Sequence, residues 1–468
     1  MTEIINPTID LFLYDLKYSL GDTQKEIEQN QQFFYNKFYG YVDSSLFIEN
    51  NHDLVSEYVH LLKNISAQFK SQNQQYDGYF YPVLLDDSYG LLIDCALKNK
   101  VDVQPTNCFA NVKSEIEQIL NGQTGNIGAT WMLSGWLPPS HTKSHKEIAQ
   151  ACYESIMPGL DWEEYLEGQG YFLGANIFEL IQAHQHFIII IYPDENTLNL
   201  SGKFYADWMR LFYYRHKILW AYNQSRQVKL SLQTYFRTIK AGNDYIEQTR
   251  NKYSELNTLY EMLVNIQNTL NEYTKQLTLF DLQIATIDIN LSNYEKRLGR
   301  IKQKTTRIQE NLITDLKFFT EFSRLVKDKY RLQITKDSEI SERFLKLQSD
   351  TINAVRSRVE VEKAERDRYF QNFVTLLAGG WAFGSFVAAL PGLAEKNDNP
   401  VRSILIKLSN LKLDTPPPTT TQEPWWLMPA TKGIYTLGGF IIAILLLLIW
   451  RRFWRRYRSP TMPNRRRT

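Results

Sequence analysis

The chain has 468 residues, of which 43% are hydrophobic, 13% aromatic and 22% charged. It is too rich in aromatics to stay disordered, and its length suits about two to four structural units. The net charge of +2 hides an asymmetry. The eight arginines of residues 451–468 leave 45 basic against 51 acidic side chains upstream, which excludes a general nucleic-acid-binding surface. Three cysteines (Cys95, Cys108, Cys152) without a CxxC pair exclude a disulfide framework, a zinc ribbon and a thiol redox motif, and fit reduced thiols in a cytosolic domain.

In chain order, residues 1–76 read as three helices: FLYDLKYSL, EIEQNQQFFYNKFYGYV and DLVSEYVHLLKNISAQF. Residues 79–97 read as a hairpin turning at Asp86-Asp87-Ser88. A strand is predicted at 129–137 and a helix at 146–156. The apolar run HFIIIIY (186–192) reads as a strand covered on both faces, followed by a long helix from Gly202 or Lys203. Together these predict an α+β cytoplasmic domain over residues 1–227 with a helical N-terminal segment.

The search for catalytic motifs finds no P-loop, GxSxG, HExxH or GxGxxG, so neither an enzyme nor a cofactor is expected. His141 and His145 are four apart but flank a loop start. His184 and His186 share one strand face without a third ligand, and no metal site is predicted. Asp86 and Asp87 read as turn formers, and Trp131, Trp136, Trp208 and Trp220 as core. In ADWMRLFYYRHKILWAYNQSR (206–226), Arg210, Arg215 and Lys217 form a basic face that suits an anionic ligand. Snorkelling bases on a packed helix suit it as well, and packing is favoured.

No proline occurs between Pro193 and Pro391, and residues 228–372 hold only two glycines, Gly242 and Gly299, so this stretch reads as helix. From Leu259 to Ile301 apolar or aromatic residues follow a strict 4-3 spacing. Leu263, Leu270, Leu277, Ile284, Leu291 and Leu298 take the a positions of a coiled-coil seam. A coiled-coil stalk is therefore predicted over 228–372. Leucine at a with isoleucine or an aromatic at d disfavours a simple parallel dimer, leaving a hairpin within one chain or a bundle of several. The reversal falls at Asn311–Asp315 or at Asp337-Ser338.

Two uncharged runs predict transmembrane helices at 373–393 and 433–450, joined by an outer loop at 394–432. The arginine-rich tail 451–468 places both termini in the cytoplasm by the positive-inside rule. Gly380, Gly384, Ser385 and Ala388 give the first span a small-residue face, for helix packing or for lining a narrow pore. The expected partners are the lipid bilayer and further copies of the chain. A small-molecule or ion ligand is left open, and nucleic acid is not expected.

This order of parts, over residues 79–458, resembles the plan of the CorA-type divalent-cation channel superfamily. Arg451, Arg452, Arg455 and Arg456 match that family's basic cluster in position. The resemblance implies a funnel-shaped oligomer acting as an ion channel. The family's Gly-Met-Asn signature is missing; the first span ends AALPGLAEKNDNP. The chain in this respect resembles CorA-like membrane effectors gated by a signal bound in the soluble part. It is also similar to uncharacterised two-span coiled-coil membrane proteins of cyanobacteria. The competing expectation is a membrane-anchored coiled-coil scaffold that transports nothing.

Overall fold

The computed structural model describes residues 2–19, 21–48, 58–70, 75–139, 141–183, 185–248, 256–309 and 311–363. The first half runs β1 (Glu3–Leu16), α1 (Gln24–Tyr35), β2 (Val59–His60), β3 (Ala67–Lys70), β4 (Tyr76–Leu85), β5 (Ser88–Leu97), β6 (Val103–Pro105), α2 (Cys108–Leu120) and β7 (Gly128–Trp136). It continues with α3 (His145–Ile156), α4 (Trp162–Tyr165), β8 (Leu166–Phe172), β9 (Ala175–Gln182), β10 (Gln185–Tyr192) and α5 (Glu195–Ser201). Four more helices follow, three of them long: α6 (Tyr205–Gln248), α7 (Leu256–Ile308), α8 (Lys317–Leu325) and α9 (Leu332–Lys363). A π-helical turn, Val326–Arg331, links α8 to α9.

The strands form one mixed sheet in the order β2-β4-β5-β1-β7-β10-β9-β8, with β3 beside β4 and β6 beside β1. β7 and β10 are parallel; the other pairs are antiparallel. Helices cover both faces. Ile9, Leu133 and Phe187 face Phe34 of α1, Phe109 of α2 and Tyr153 of α3 in one core. On the other face Phe12 meets Phe212 of α6 edge-on at 5.3 Å, and the Tyr14 hydroxyl donates to the Met209 carbonyl at 2.8 Å.

The N-terminal helices expected from the sequence are corrected. Only α1 lies where the second was placed. FLYDLKYSL belongs mainly to β1, a strand between β5 and β7. Because both faces of β1 are covered, its residues do not alternate apolar and polar, and the period-2 signal of a strand is lost. Pro7 is accommodated where the β1–β7 register shifts, beside Asn6 at φ 50°. The third expected helix contains instead β2 and β3, separated by a turn with Ile65 at φ 67°, while residues 51–57 lie outside the described residues. Residues 79–97 lie in the hairpin of β4 and β5, with Asp86 at φ 56° in its turn.

The expected boundary at residue 227 falls inside α6. The first turns of that helix cover the sheet and the remainder pairs with α7 and α9, so residues 1–348 form one compact unit. α7 folds back antiparallel to α6, clamped where Asp207 accepts from Arg297 at 2.9 Å and Lys304 at 2.7 Å. α9 returns alongside α6 in parallel. Tyr222 stacks on Tyr330 (4.4 Å), Lys229 pairs with Asp337 (2.6 Å) and Phe236 meets Phe344 (4.3 Å), each step one heptad along both helices. Of the predicted seam, Leu270, Leu277, Leu291 and Leu298 are buried; Leu263 and Ile284 are partly exposed. The chain reverses between α7 and α8, and Asp337 and Ser338 lie within α9.

The segment before α8 closes the sheet edge. Tyr171 N–H donates to the Asp315 carbonyl at 2.9 Å, and Asp315 N–H returns to Tyr171 at 2.7 Å. Gly170 permits this approach, since a Cβ there would lie 2.1 Å from the Asp315 carbonyl oxygen.

The fold class is thereby corrected from an α+β domain with a separate coiled-coil stalk and two transmembrane helices to a ten-stranded mixed sheet with an intrachain helical bundle. Among the described residues no helix is long and apolar enough to cross a membrane. The long helices α6, α7 and α9 interleave their apolar stripes with charged residues, and those stripes face one another. The segments expected to span, 373–393 and 433–450, with Gly380, Gly384, Ser385, Ala388, Arg451, Arg452, Arg455 and Arg456, lie outside the described residues. The reading as a two-span integral membrane channel with both termini cytoplasmic is not supported.

Asp15 and Lys37 form an ion pair of 2.9 Å with both side chains fully buried. Lys37→Met leaves the Asp15 carboxylate buried without its counter-charge. The expected cost is about 3–5 kcal/mol of folding stability, read by chemical denaturation.

Candidate functional site

The site grows from the pairing of β7 with β10. Thr130 and His186 lie opposite each other in that parallel register, both facing α6. The Thr130 hydroxyl lies 2.8 Å from His186 Nδ1 and 2.8 Å from His216 Nε2 of α6. His186 Nε2 in turn meets Glu179 Oε1 of β9 at 3.0 Å. Arg215, beside His216 on α6, brings its Nε to 3.5 Å from the same Glu179 oxygen, an ion pair at the edge of hydrogen-bond reach. None of these five residues is more than 4% exposed.

The hydrogen-bond chain has a direction. With Glu179 ionised, His186 Nε2–H donates to it, the Thr130 hydroxyl donates to His186 Nδ1, and His216 Nε2–H donates to the Thr130 oxygen. A proton added at Glu179 reverses every donor in the row. Burial raises the Glu179 carboxyl, offset in part by the Arg215 charge. Burial holds both imidazoles neutral, well below their ordinary range, and Arg215 adds to the effect on each.

His186, Arg215 and His216 line a cavity of about 950 Å³ at the end of the sheet where β7 and β10 begin. Leu219 and Trp220 of α6 give it apolar surface, Trp131 borders it from the α2 side of the sheet, Asn223 and Gln224 add polar side chains, and its far side is made by Phe322 and Tyr330. The Arg215 guanidinium lies 4.7 Å from the Phe322 ring centre. The loop 122–128 forms the rim. Asp15 accepts from Asn126 N–H at 2.9 Å, and Asn126 accepts from Leu16 N–H at 2.8 Å, which fastens this loop to β1. Gly128 must lack a side chain, because a Cβ there would fall 2.4 Å from His216 Nδ1.

Of the three bases singled out on 206–226, only Arg215 lines this cavity. Lys217 is paired with Asp87, contacting both carboxylate oxygens at 2.9 Å, and Arg210 lies over the Tyr58 ring at 4.6 Å. Asp87 therefore serves as a counter-ion as well as forming the turn. His141 and His145 approach with ring centres 6.1 Å apart, and His184 lies outside the described residues. Among the described residues no group of three His, Cys, Asp or Glu is placed to hold a metal ion. Sequence reasoning missed Thr130, Glu179 and His216. The available signal was a histidine and a glutamate set beside the apolar runs of β10 and β9.

No protein family, curated protein or solved structure matches this chain, and the comparisons do not bear on the resemblance to the CorA-type superfamily.

The neutral imidazoles carry a pH signature. Below about pH 6.5 the unfolded chain takes up protons at His186 and His216 that the folded chain excludes, so their contribution to stability is lost as pH falls. His216→Gln removes one such group. The variant is expected to gain on the wild type by about 1.4 kcal/mol per pH unit between pH 6 and 5, read from urea unfolding at each pH.

Proposed function

We propose that this chain is a small-molecule-binding protein whose helical bundle responds to occupancy of the cavity. The observation that carries the reading is the shared wall. His186 of the sheet, Arg215 of α6, and Phe322 and Tyr330 of the segment leading into α9 all line one space of about 950 Å³. Sites for small molecules are concave, mostly apolar, about 300–1,000 Å³, and carry a few convergent polar groups. Leu219, Trp220 and Phe322 supply apolar surface near Arg215, and Arg215, the histidines and side-chain amides such as Asn223 and Gln224 supply the polar part.

The route to the bundle is short. Tyr330 lies within the π-helical turn Val326–Arg331 and Phe322 on α8 just before it, and such turns are frequent at functional sites. Arg215 packs on Phe322, and Tyr222 stacks on Tyr330. A ligand that engages Arg215 changes the contacts around this turn, and α9 continues directly from it. The response requires the ligand to favour one arrangement of the turn over another.

A second reading, a helical interaction scaffold, is favoured by Leu230, Ile289, Leu332 and Ile340, each more than half exposed on the long helices. Serine substitution of these four, with oligomer size measured by light scattering, tests it: an unchanged size and partner profile removes it.

The test of the first reading is extraction of natively purified protein, mass spectrometry of the extract, and thermal unfolding with the extract returned. A ligand at a hundred times its Kd is expected to add about 2.7 kcal/mol of stability. Leu219→Trp, which fills part of the cavity, is expected to unfold cooperatively without that gain. Hydrogen exchange in residues 326–336 is expected to slow on binding. Absence of any bound compound, with no gain from a whole metabolite extract, defeats the reading.

A further inference from the structure

We infer that the cavity takes a monocarboxylate with an apolar body, its anion on Arg215, and that binding draws one proton onto the Glu179–His186–Thr130–His216 row. The inference rests on the small-molecule reading above and names the ligand class and its linkage.

Arg215 is only loosely met by its counter-ion. It is 3% exposed, its Nε–H faces Glu179 at 3.5 Å, beyond good hydrogen-bond length, and among the described residues no other carboxylate forms an ion pair with it. A guanidinium presents a planar fork matched to a carboxylate, and an unmet buried donor is costly. A ligand acceptor placed on this fork repairs the deficit. Leu219, Trp220 and Leu325 supply apolar surface for the body, beside polar side chains such as Asn223 and Gln224.

Charge balance sets the rest. Arg215 and Glu179 already cancel, and the two histidines are neutral. A carboxylate held against these buried side chains would leave one uncompensated negative charge beside Glu179, which costs several kcal/mol. One proton restores neutrality, and Glu179 is placed to take it. It is faced by Arg215 from α6, His186 from β10 and Tyr294 from α7, with Thr130 of β7 and His216 of α6 next in the row. Burial already raises its carboxyl, so the proton costs little. The protonated Glu179 donates to His186 Nε2, His186 Nδ1–H to Thr130, and the Thr130 hydroxyl to His216. A dianion such as a phosphate monoester would need two such protons, and the row accepts one.

The experiment is titration calorimetry on the full chain with decanoate and 1-naphthoate, beside decanamide and 1-naphthamide, at pH 7 in phosphate and in Tris. The two acids separate an aliphatic from an aromatic source. The better acid is expected to bind at least about tenfold more tightly than its amide, with close to one proton taken up per ligand, so that affinity falls about tenfold per pH unit. Glu179→Gln is expected to abolish the uptake while keeping carboxylate binding. Because Arg215→Leu alone strands Glu179, the doubly neutral Arg215→Leu/Glu179→Gln variant is used to remove the fork, and it is expected to lose the preference for the acid. Equal affinity of acid and amide, binding without proton uptake, or a preference that survives in the double variant overturns the inference while leaving the small-molecule reading intact. If none of the four probes binds, the inference falls, and the extract experiment decides the broader reading separately.

Discussion

The central strands of this sheet are apolar on both faces, and neither face can be left to water. Ile9, Leu11 and Leu13 point one way from β1, and Phe12 and Tyr14 point the other. The second face is closed chiefly by α6. That helix has 44 residues, about 66 Å at the α-helical rise, longer than the sheet it covers. The part beyond the sheet still carries an apolar stripe, and α7 and α9 supply its partners. The bundle therefore follows from the demand to cover the sheet. It is tied back to the sheet at the β8 edge by the paired backbone of Tyr171 and Asp315.

The same covering traps polar groups. Thr130, Glu179 and His186 face α6 from three adjacent strands, and α6 answers with Arg215 and His216. In a low-dielectric layer a satisfied network is rigid and an unsatisfied donor is expensive. The row of hydrogen bonds through Thr130 is complete along its length, whereas Arg215 is met only by a long contact to Glu179. The imbalance lies at the cavity wall, which is where a ligand can correct it. The glycine at 128 lets the rim come close enough to shape that wall, and the Asp15–Asn126 contact holds it there.

How much of this was legible in the sequence differs by element. The hairpin at 79–97 has an Asp-rich turn between apolar runs, a local signal, and the proline-free helices after residue 202 are local signals too. β1 was misread because a strand covered twice loses its alternation, and its Leu-Phe-Leu-Tyr run mimics a helix face. Arg215 was visible as one of three candidate bases. What separated it from Lys217 was Asp87, more than a hundred residues away in sequence. Asp10 and Asp94, opposite each other on β1 and β5 with burial raising both carboxyls, were equally hidden, since only register brings them together.

The sequence by itself determined what local interactions decide: where helix can run without proline or glycine, which residues on α7 form an apolar stripe, and where the β4–β5 turn lies. Those depend on backbone conformation and on spacing within one element. Only the tertiary structure decided which stripe meets which, so that the seam of α7 is filled by helices of its own chain. It also decided that Thr130, Glu179, His186, Arg215 and His216 share one buried layer. Those residues come from four elements, and their distances are set by sheet register and by the line of α6 across it, neither of which is written in any local stretch of the chain.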